Sequence, residues 1–279
     1  MAQTIKGLYK LSRPLSTLTG VLAVALGGYV AGTGEWGRIA IAAVATLFVS
    51  AAANAWNDYR DIDIDRINQP QRPLPSGMVS LRAALIFSVT LAVLSMVLAA
   101  FLGPLALAIA VASNLLLYVY SVWLKSTVLL GNATVALISA MSPVFGGVAA
   151  GNVGPSLWLG AIVFVGIFGR EVLKTLADYD GDKAHDVRTI STAVGPRAAR
   201  TLFFFLLGAT AIVMLAPYLA GLYDPIYAWI VALGVFPVAI YVIIRVTRER
   251  SGPQLERLSQ LLKYDFLIWF AAVLLGVSV

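Results

Sequence analysis

Acidic side chains are the scarcest reactive groups in this chain and also the most concentrated. Of its 279 residues only 14 are Asp or Glu. Four of these, Asp58, Asp61, Asp63 and Asp65, fall in the short stretch from Asn57 to Asp65. Four more, Asp178, Asp180, Asp182 and Asp186, fall in a second stretch of the same length. At about 100° per residue, a continuous helix would gather Asn54, Asn57, Asp58, Asp61 and Asp65 into an arc of about 100°, with Asp63 opposite. If a helix runs on past Gly181, Asp178, Asp182 and Asp186 share an arc of about 80°, with Glu171 inside it and Asp180 opposite. Arg170 and Lys174 flank that face.

Carboxylates so close together repel, and each raises the pKa of its neighbours unless a cation neutralises them. The chain has no Cys and a single His, so hard oxygen ligands are what it can offer a metal. That donor set suits Mg2+, which binds through one or two carboxylates plus water and substrate phosphate. Two such stripes can clamp a diphosphate through bridging Mg2+ ions, the metal neutralising the leaving group as its C–O bond breaks. Arg72, Lys125, Lys174, Lys183 and Arg188 lie nearby in sequence to complete the clamp. Asp63, Asp180 and Asp224 read as solvated charge at helix ends, and His185 as a surface residue.

The elements that must hold these groups lie in a membrane. The chain is 59% hydrophobic and 12% charged, far from the roughly 25% charge of a soluble domain. Crossing the hydrocarbon core takes about 20 apolar residues, and runs of that kind occupy 14–34, 37–57, 80–101, 104–123, 127–149, 155–178, 200–220, 225–246 and 261–279. The expected fold class is therefore all-α, a multi-pass membrane protein with nine transmembrane helices. Of 20 Lys and Arg, only Arg38 falls in a turn on the far side from the N-terminus. The positive-inside rule puts the N-terminus and both acidic stretches on the cytoplasmic side and the C-terminus opposite. The basic excess is thus a topology signal, and nucleic-acid binding is not expected.

Each acidic stretch ends an even-numbered span and leads into a basic loop. Arg72-Pro-Leu-Pro-Ser-Gly-Met-Val-Ser-Leu-Arg82-Ala-Ala has the same layout as Arg188-Thr-Ile-Ser-Thr-Ala-Val-Gly-Pro-Arg197-Ala-Ala. The expectation is one transmembrane domain over 1–279, with a weak internal repeat of 14–123 and 127–246 and a ninth helix after it. The two helix groups would surround a central cavity, its cytoplasmic mouth capped by loops 66–79 and 187–199.

Asn57-Asp58-Tyr-Arg-Asp61-Ile-Asp-Ile-Asp65 reads N-D-x-x-D-x-x-x-D, and Asp178-Tyr-Asp-Gly-Asp182-Lys-Ala-His-Asp186 reads D-x-x-x-D-x-x-x-D. With Ser12-Arg13-Pro14, Arg72-Pro73-Leu74 and Tyr120-Ser-Val-Trp-Leu-Lys125, this pair resembles the UbiA superfamily of intramembrane prenyltransferases over nearly the whole chain. The resemblance implies an isoprenyl diphosphate held by Mg2+ ions, its tail in a hydrophobic tunnel open to lipid. Ionisation gives an allylic cation that a lipophilic acceptor captures. Carried over by position, Asn57, Asp61 and Asp65 are the first motif, with Asp58 beside them. Asp178 and Asp182 are the second, extended by Asp186. Arg72 and Lys125 match basic positions near the diphosphate, and Arg13 a contact to an anionic acceptor. Aromatic faces stabilise cations, which makes Tyr118, Tyr120 and Trp123 candidates for lining the cation's path, with packing as the plainer role.

Arg170-Glu171-Val-Leu-Lys174, Gly181-Asp182-Lys183 and Arg188-Thr189 look most like the branch that joins geranylgeranyl to geranylgeranylglyceryl phosphate in ether-lipid synthesis. Within the same fold, an aromatic, quinone-precursor or chlorophyll-type acceptor, or terpene cyclisation, stays open. An ion-coupled transporter is the remaining alternative, since buried Asp residues also line ion paths.

Overall fold

The computed structural model describes residues 2–277, and among them every regular element is helical. The chain divides into two compact units, Met1–Trp123 with Met141–Val153, and Leu124–Ala140 with Gly154–Val279. In the first, α1 (Ala2–Leu11) and α2 (Pro14–Val30) precede α3 (Trp36–Arg60), the short α4 (Ile62–Asn68), α5 (Leu81–Ala100) and α6 (Pro104–Val122). Helix α7 (Leu130–Ala150) gives its first half to the second unit and its second half to the first. The second unit continues with α8 (Gly154–Ala177), the short α9 (Tyr179–Ala184) and α10 (Ile190–Ala193), and α11 (Pro196–Leu219). It closes with α12 (Pro225–Ile230), a π-helical turn at Val231–Val235, α13 (Phe236–Arg248) and α14 (Gly252–Gly276).

Sequence punctuation explains the boundaries. Pro14, Pro104, Pro196 and Pro225 stand in the first turns of their helices, where the missing N–H is no loss and φ is already helical. Gly103 and Gly195, with φ of 117° and 111°, supply the left-handed backbone just before two of them. Ser80 accepts a hydrogen bond from the Ala83 N–H at 3.2 Å and so caps α5.

Eight described helices are long and apolar enough to span a membrane. The expected first span, 14–34, is shorter than read: α2 stops at Val30 after 17 residues, at the lower limit for crossing. The last span begins earlier than the expected 261, because α14 runs from Gly252. The final two residues of the expected 261–279 span lie outside the described residues.

The two units are packed differently. The first has an alanine-rich core, in which Ala42, Ala45, Ala99 and Ala106 surround Val24 and Phe145. Helices α2 and α7 cross so closely that a Cβ on Gly27 or Gly146 would lie within 2.0 Å of a backbone carbonyl oxygen of Pro143 or Val24. Small residues are how helices approach where lipid supplies no hydrophobic drive. The second core uses larger side chains, among them Leu173, Phe203, Val242 and Leu255. Arg38, the exception in the charge distribution, donates to the carbonyls of Ala149 at 2.8 Å and Leu102 at 2.7 Å. Its charge satisfies carbonyls at the ends of α7 and α5, a favourable position for a cation.

Candidate active site

The first acidic stretch sits where α3 ends. Asp61 leaves the helix with φ −90° and ψ 10°, serving as the C-cap of α3 and the N-cap of α4. Hydrogen bonds nevertheless keep helical spacing across the break: the Asp61 N–H donates to Asn57 O at 2.9 Å, and the Asp65 N–H to Asp61 O at 2.8 Å. The expected phase therefore survives a helix end that was not expected. Asp58 and Asp65 have side chains only 4% and 6% exposed, whereas Asp63 is 86% exposed and pairs with Arg66.

What neutralises the two buried carboxylates is arginine. Arg13 donates to Asp58 in an ion pair. Arg72 donates through Nη1 to both oxygens of Asp65, at 2.9 and 2.8 Å, and lies 3.7 Å from Asp58. Arg13 adopts a left-handed backbone, φ 48°, at the α1–α2 turn, which is unusual for a side chain of its size. Asn57 accepts a hydrogen bond from the Ser121 hydroxyl of α6, and Asn54 donates to Ser12 O at 3.1 Å. Ser121, missed in the sequence reading, lies within the quoted Tyr120–Lys125 segment but has nothing local to mark its partner.

The second stretch repeats this backbone. Asp178 follows α8 with φ −89° and ψ 2° and caps α9. Its N–H donates to Lys174 O at 2.9 Å, and the Asp182 N–H donates to Asp178 O at 2.8 Å. The helix does not run on as far as expected. It ends at Ala184, and Asp186 takes a left-handed conformation, φ 54°, so it leaves the arc predicted for it. The physical reason is a turn closed by the Val187 N–H donating to Asp182 O at 2.8 Å.

Side-chain partners here are of another kind. The Thr189 hydroxyl caps α10, accepting from the Thr192 N–H at 3.4 Å, and favours the charged form of the Asp182 carboxyl. Glu171 is buried and accepts from Lys174 at 3.1 Å on each oxygen, with Arg170 3.6 Å away. The side chains of this stretch are more open than those of Asp58 and Asp65. Partial burial raises the Asp178 carboxyl above its ordinary range, Lys174 opposes it, and the Glu256 and Glu171 charges add to the rise. Burial raises Asp182 too, the Asp178 charge adds to it, and the Thr189 hydrogen bond opposes it. Lys183 stands 5.7 Å from the centroid of the Tyr179 ring. Lys125 is exposed on a 3-10 turn, Leu124–Ser126, and Arg188 and His185 are exposed as well.

Of the aromatic candidates, Tyr118 stacks on Trp56 with centroids 4.5 Å apart, the packing role. Trp123 is largely exposed and Tyr120 half-buried. Among the described residues no three acidic or His side chains gather into a ready-made metal cage.

Residues 15–277 match the UbiA prenyltransferase family. The chain is 37% identical over 278 residues to the digeranylgeranylglyceryl phosphate synthase of Halobacterium salinarum, covering 98% of each chain. Among solved structures it is similar to one described as digeranylgeranylglyceryl phosphate synthase in membranes, with a TM-score of 0.86 and 30% identity over 99% of each chain. It shares its fold with a UbiA homologue from Archaeoglobus fulgidus bound to DMAPP and Mg2+, TM-score 0.62 and 17% identity, over 94% of this chain and 99% of that one. Two acid-bearing helix ends of one design, in a chain of membrane-spanning helices matched over almost its full length, make this integral membrane protein a member of the UbiA prenyltransferase family.

Proposed function

We propose that the protein transfers a geranylgeranyl group from geranylgeranyl diphosphate to geranylgeranylglyceryl phosphate, at a site facing the cytoplasm. The carrying observation is the duplicated acid-bearing helix end, Asp61–Asp65 and Asp178–Asp182, in a chain so similar to a synthase of that product. The orientation rests on the placement of Lys and Arg, with the N-terminus inside.

Asn57, Asp61 and Asp65 would hold Mg2+ in the first unit, and Asp178 and Asp182 would do so in the second. Bound there, the metal supplies Lewis-acid stabilisation of the departing diphosphate. The chain's own groups do the rest. Arg72 keeps the Asp65 carboxylate oriented, and Arg13 does so for Asp58. Lys174 lies beside Asp178 to balance phosphate charge. Lys125, Lys183 and Arg188 complete the cationic rim. Asp58, held between two guanidiniums, positions Arg13 and Arg72 more than it binds metal. Asp186 stays at the rim as solvated charge.

In the reaction the C1–O bond of the prenyl diphosphate breaks and its electron pair leaves with the diphosphate. The acceptor's glyceryl hydroxyl oxygen forms the new C–O bond, and its proton passes to water or diphosphate. The allylic cation would need walls that exclude water, and half-buried Tyr120 would be the aromatic group offered to it.

The test is mass spectrometry of products from purified protein given geranylgeranyl diphosphate, Mg2+ and a panel of acceptors. Digeranylgeranylglyceryl phosphate formed in preference to prenylated aromatics supports the reading. A cyclic hydrocarbon formed without acceptor, or preference for an aromatic acceptor, overturns it.

A further inference from the structure

Asp265 lies in membrane-spanning α14 of the second unit, outside both acidic stretches, and is 6% exposed. Its Oδ1 is buried with no hydrogen-bond partner among the described residues. A carboxyl left so in hydrocarbon would cost several kcal/mol, so something must bind it. The carboxyl lines a cavity of about 40 Å³ between α8, α11, α13 and α14. Two other polar groups line the same space, Arg170 and Thr210. Thr210 donates to Leu206 O at 2.8 Å and keeps its lone pairs available as acceptors. Val235, from the π-helical turn, borders the cavity too, and such turns are frequent at functional sites.

The space exceeds the roughly 10–15 Å³ that one buried water needs, and three polar groups are the number such a water commonly satisfies. A metal cation is disfavoured there by the guanidinium on the same wall. We propose that the cavity holds ordered water that joins Asp265 to Arg170, making Asp265 a positioning residue for the diphosphate site. Arg170 is already held through Nε to Ser259 O at 3.1 Å and faces Glu171 at 3.6 Å. Glu171 in turn holds Lys174, whose charge acts on Asp178. Asp265 thus fixes the far end of a polar chain that runs from the membrane interior to the second acidic stretch. The diphosphate role of that stretch is taken from the proposed function.

The test measures binding of inorganic pyrophosphate with Mg2+ to the full-length protein by calorimetry, which needs no acceptor. D265L is expected to weaken binding about tenfold, whereas D265N, which still hydrogen-bonds, stays within about twofold of wild type. R170M should match D265L, and the double variant should be no weaker than either single one. T210V removes one water partner without changing shape and should weaken binding about threefold; it serves if D265L does not fold. Unchanged binding in D265L, or in both R170M and T210V, overturns the proposal, as does a double variant whose loss is the product of the two. Shifts in the unfolding midpoint read the bridge directly: non-additive shifts for D265L and R170M are expected, and additive ones overturn it. Wild-type protein that binds pyrophosphate but does not prenylate the glyceryl phosphate refutes the acceptor assignment alone. Wild-type protein that binds no pyrophosphate overturns both the diphosphate reading and the positioning role.

Discussion

The two acidic stretches share a backbone and differ in what balances their charge. The same sequence spacing separates Asp61 from Asp178, Asp63 from Asp180, Asp65 from Asp182 and Arg72 from Thr189. Asp61 and Asp178 both leave a membrane-spanning helix near φ −90°, and in both places hydrogen bonds of helical spacing continue across the break. In the first stretch Arg13 and Arg72 saturate Asp58 and Asp65. In the second, Thr189 stands at the position of Arg72, and Lys174 is the cation set against Asp178. The first stretch thus sets guanidiniums against its buried carboxylates, while the second leaves Asp178 and Asp182 more open. The position equivalent to the buried Asp58 is Thr175, whose hydroxyl lies 2.7 Å from Ser191 Oγ: one copy uses an ion pair where the other uses a neutral hydrogen bond.

That contrast can be broken at several points. Chelating Mg2+ should abolish pyrophosphate release completely, with restoration on adding the ion back. Asp61→Ala and Asp182→Ala should each lower turnover about a thousandfold or more, since each removes a ligand to the group that stabilises the leaving diphosphate. Turnover retained by either variant would mean that its stretch does not bind the catalytic ion. Arg72→Met and Thr189→Val then separate the two kinds of support. Arg72→Met leaves buried Asp65 unpaired, so about 3–5 kcal/mol of stability and about 10–100-fold in Mg2+ affinity should be lost. Thr189→Val removes one neutral hydrogen bond, about 1 kcal/mol, and should lower Mg2+ affinity several-fold at most. Equal losses would show that the stretches are balanced alike, against the asymmetry described. Smallest of all, Asp63→Asn and Asp180→Asn should change turnover less than about twofold, as exposed charges contribute little. A large loss in either would place that carboxylate in the site.

Much of this was legible before folding. Period and phase separated Asp58 and Asp65 from Asp63, and the buried and exposed side chains follow that division. Hydropathy located the spans, and misjudged mainly their ends. Helix α2 gives out early, and the amphipathic start of α14 lies outside a purely apolar run. The stop before Asp186 was hidden, because it is set by a local turn hydrogen bond that leaves no compositional mark, and the break at Asp61 leaves the helical hydrogen-bond spacing intact. Ser121, Thr189 and Asp265 were invisible for another reason: their partners, or the lack of one, lie on other helices or across a turn.

Sequence by itself determined that this is a membrane-spanning helical protein with two acidic stretches, since apolar run length and carboxylate placement are properties of the chain. Tertiary structure alone decided which carboxylates are already neutralised. Ion pairing depends on distances of a few ångströms between segments far apart in the chain, such as Arg13 with Asp58. The scarce acids marked where the chemistry lies; the arginines folded against them decided which of those acids are held in place by an ion pair.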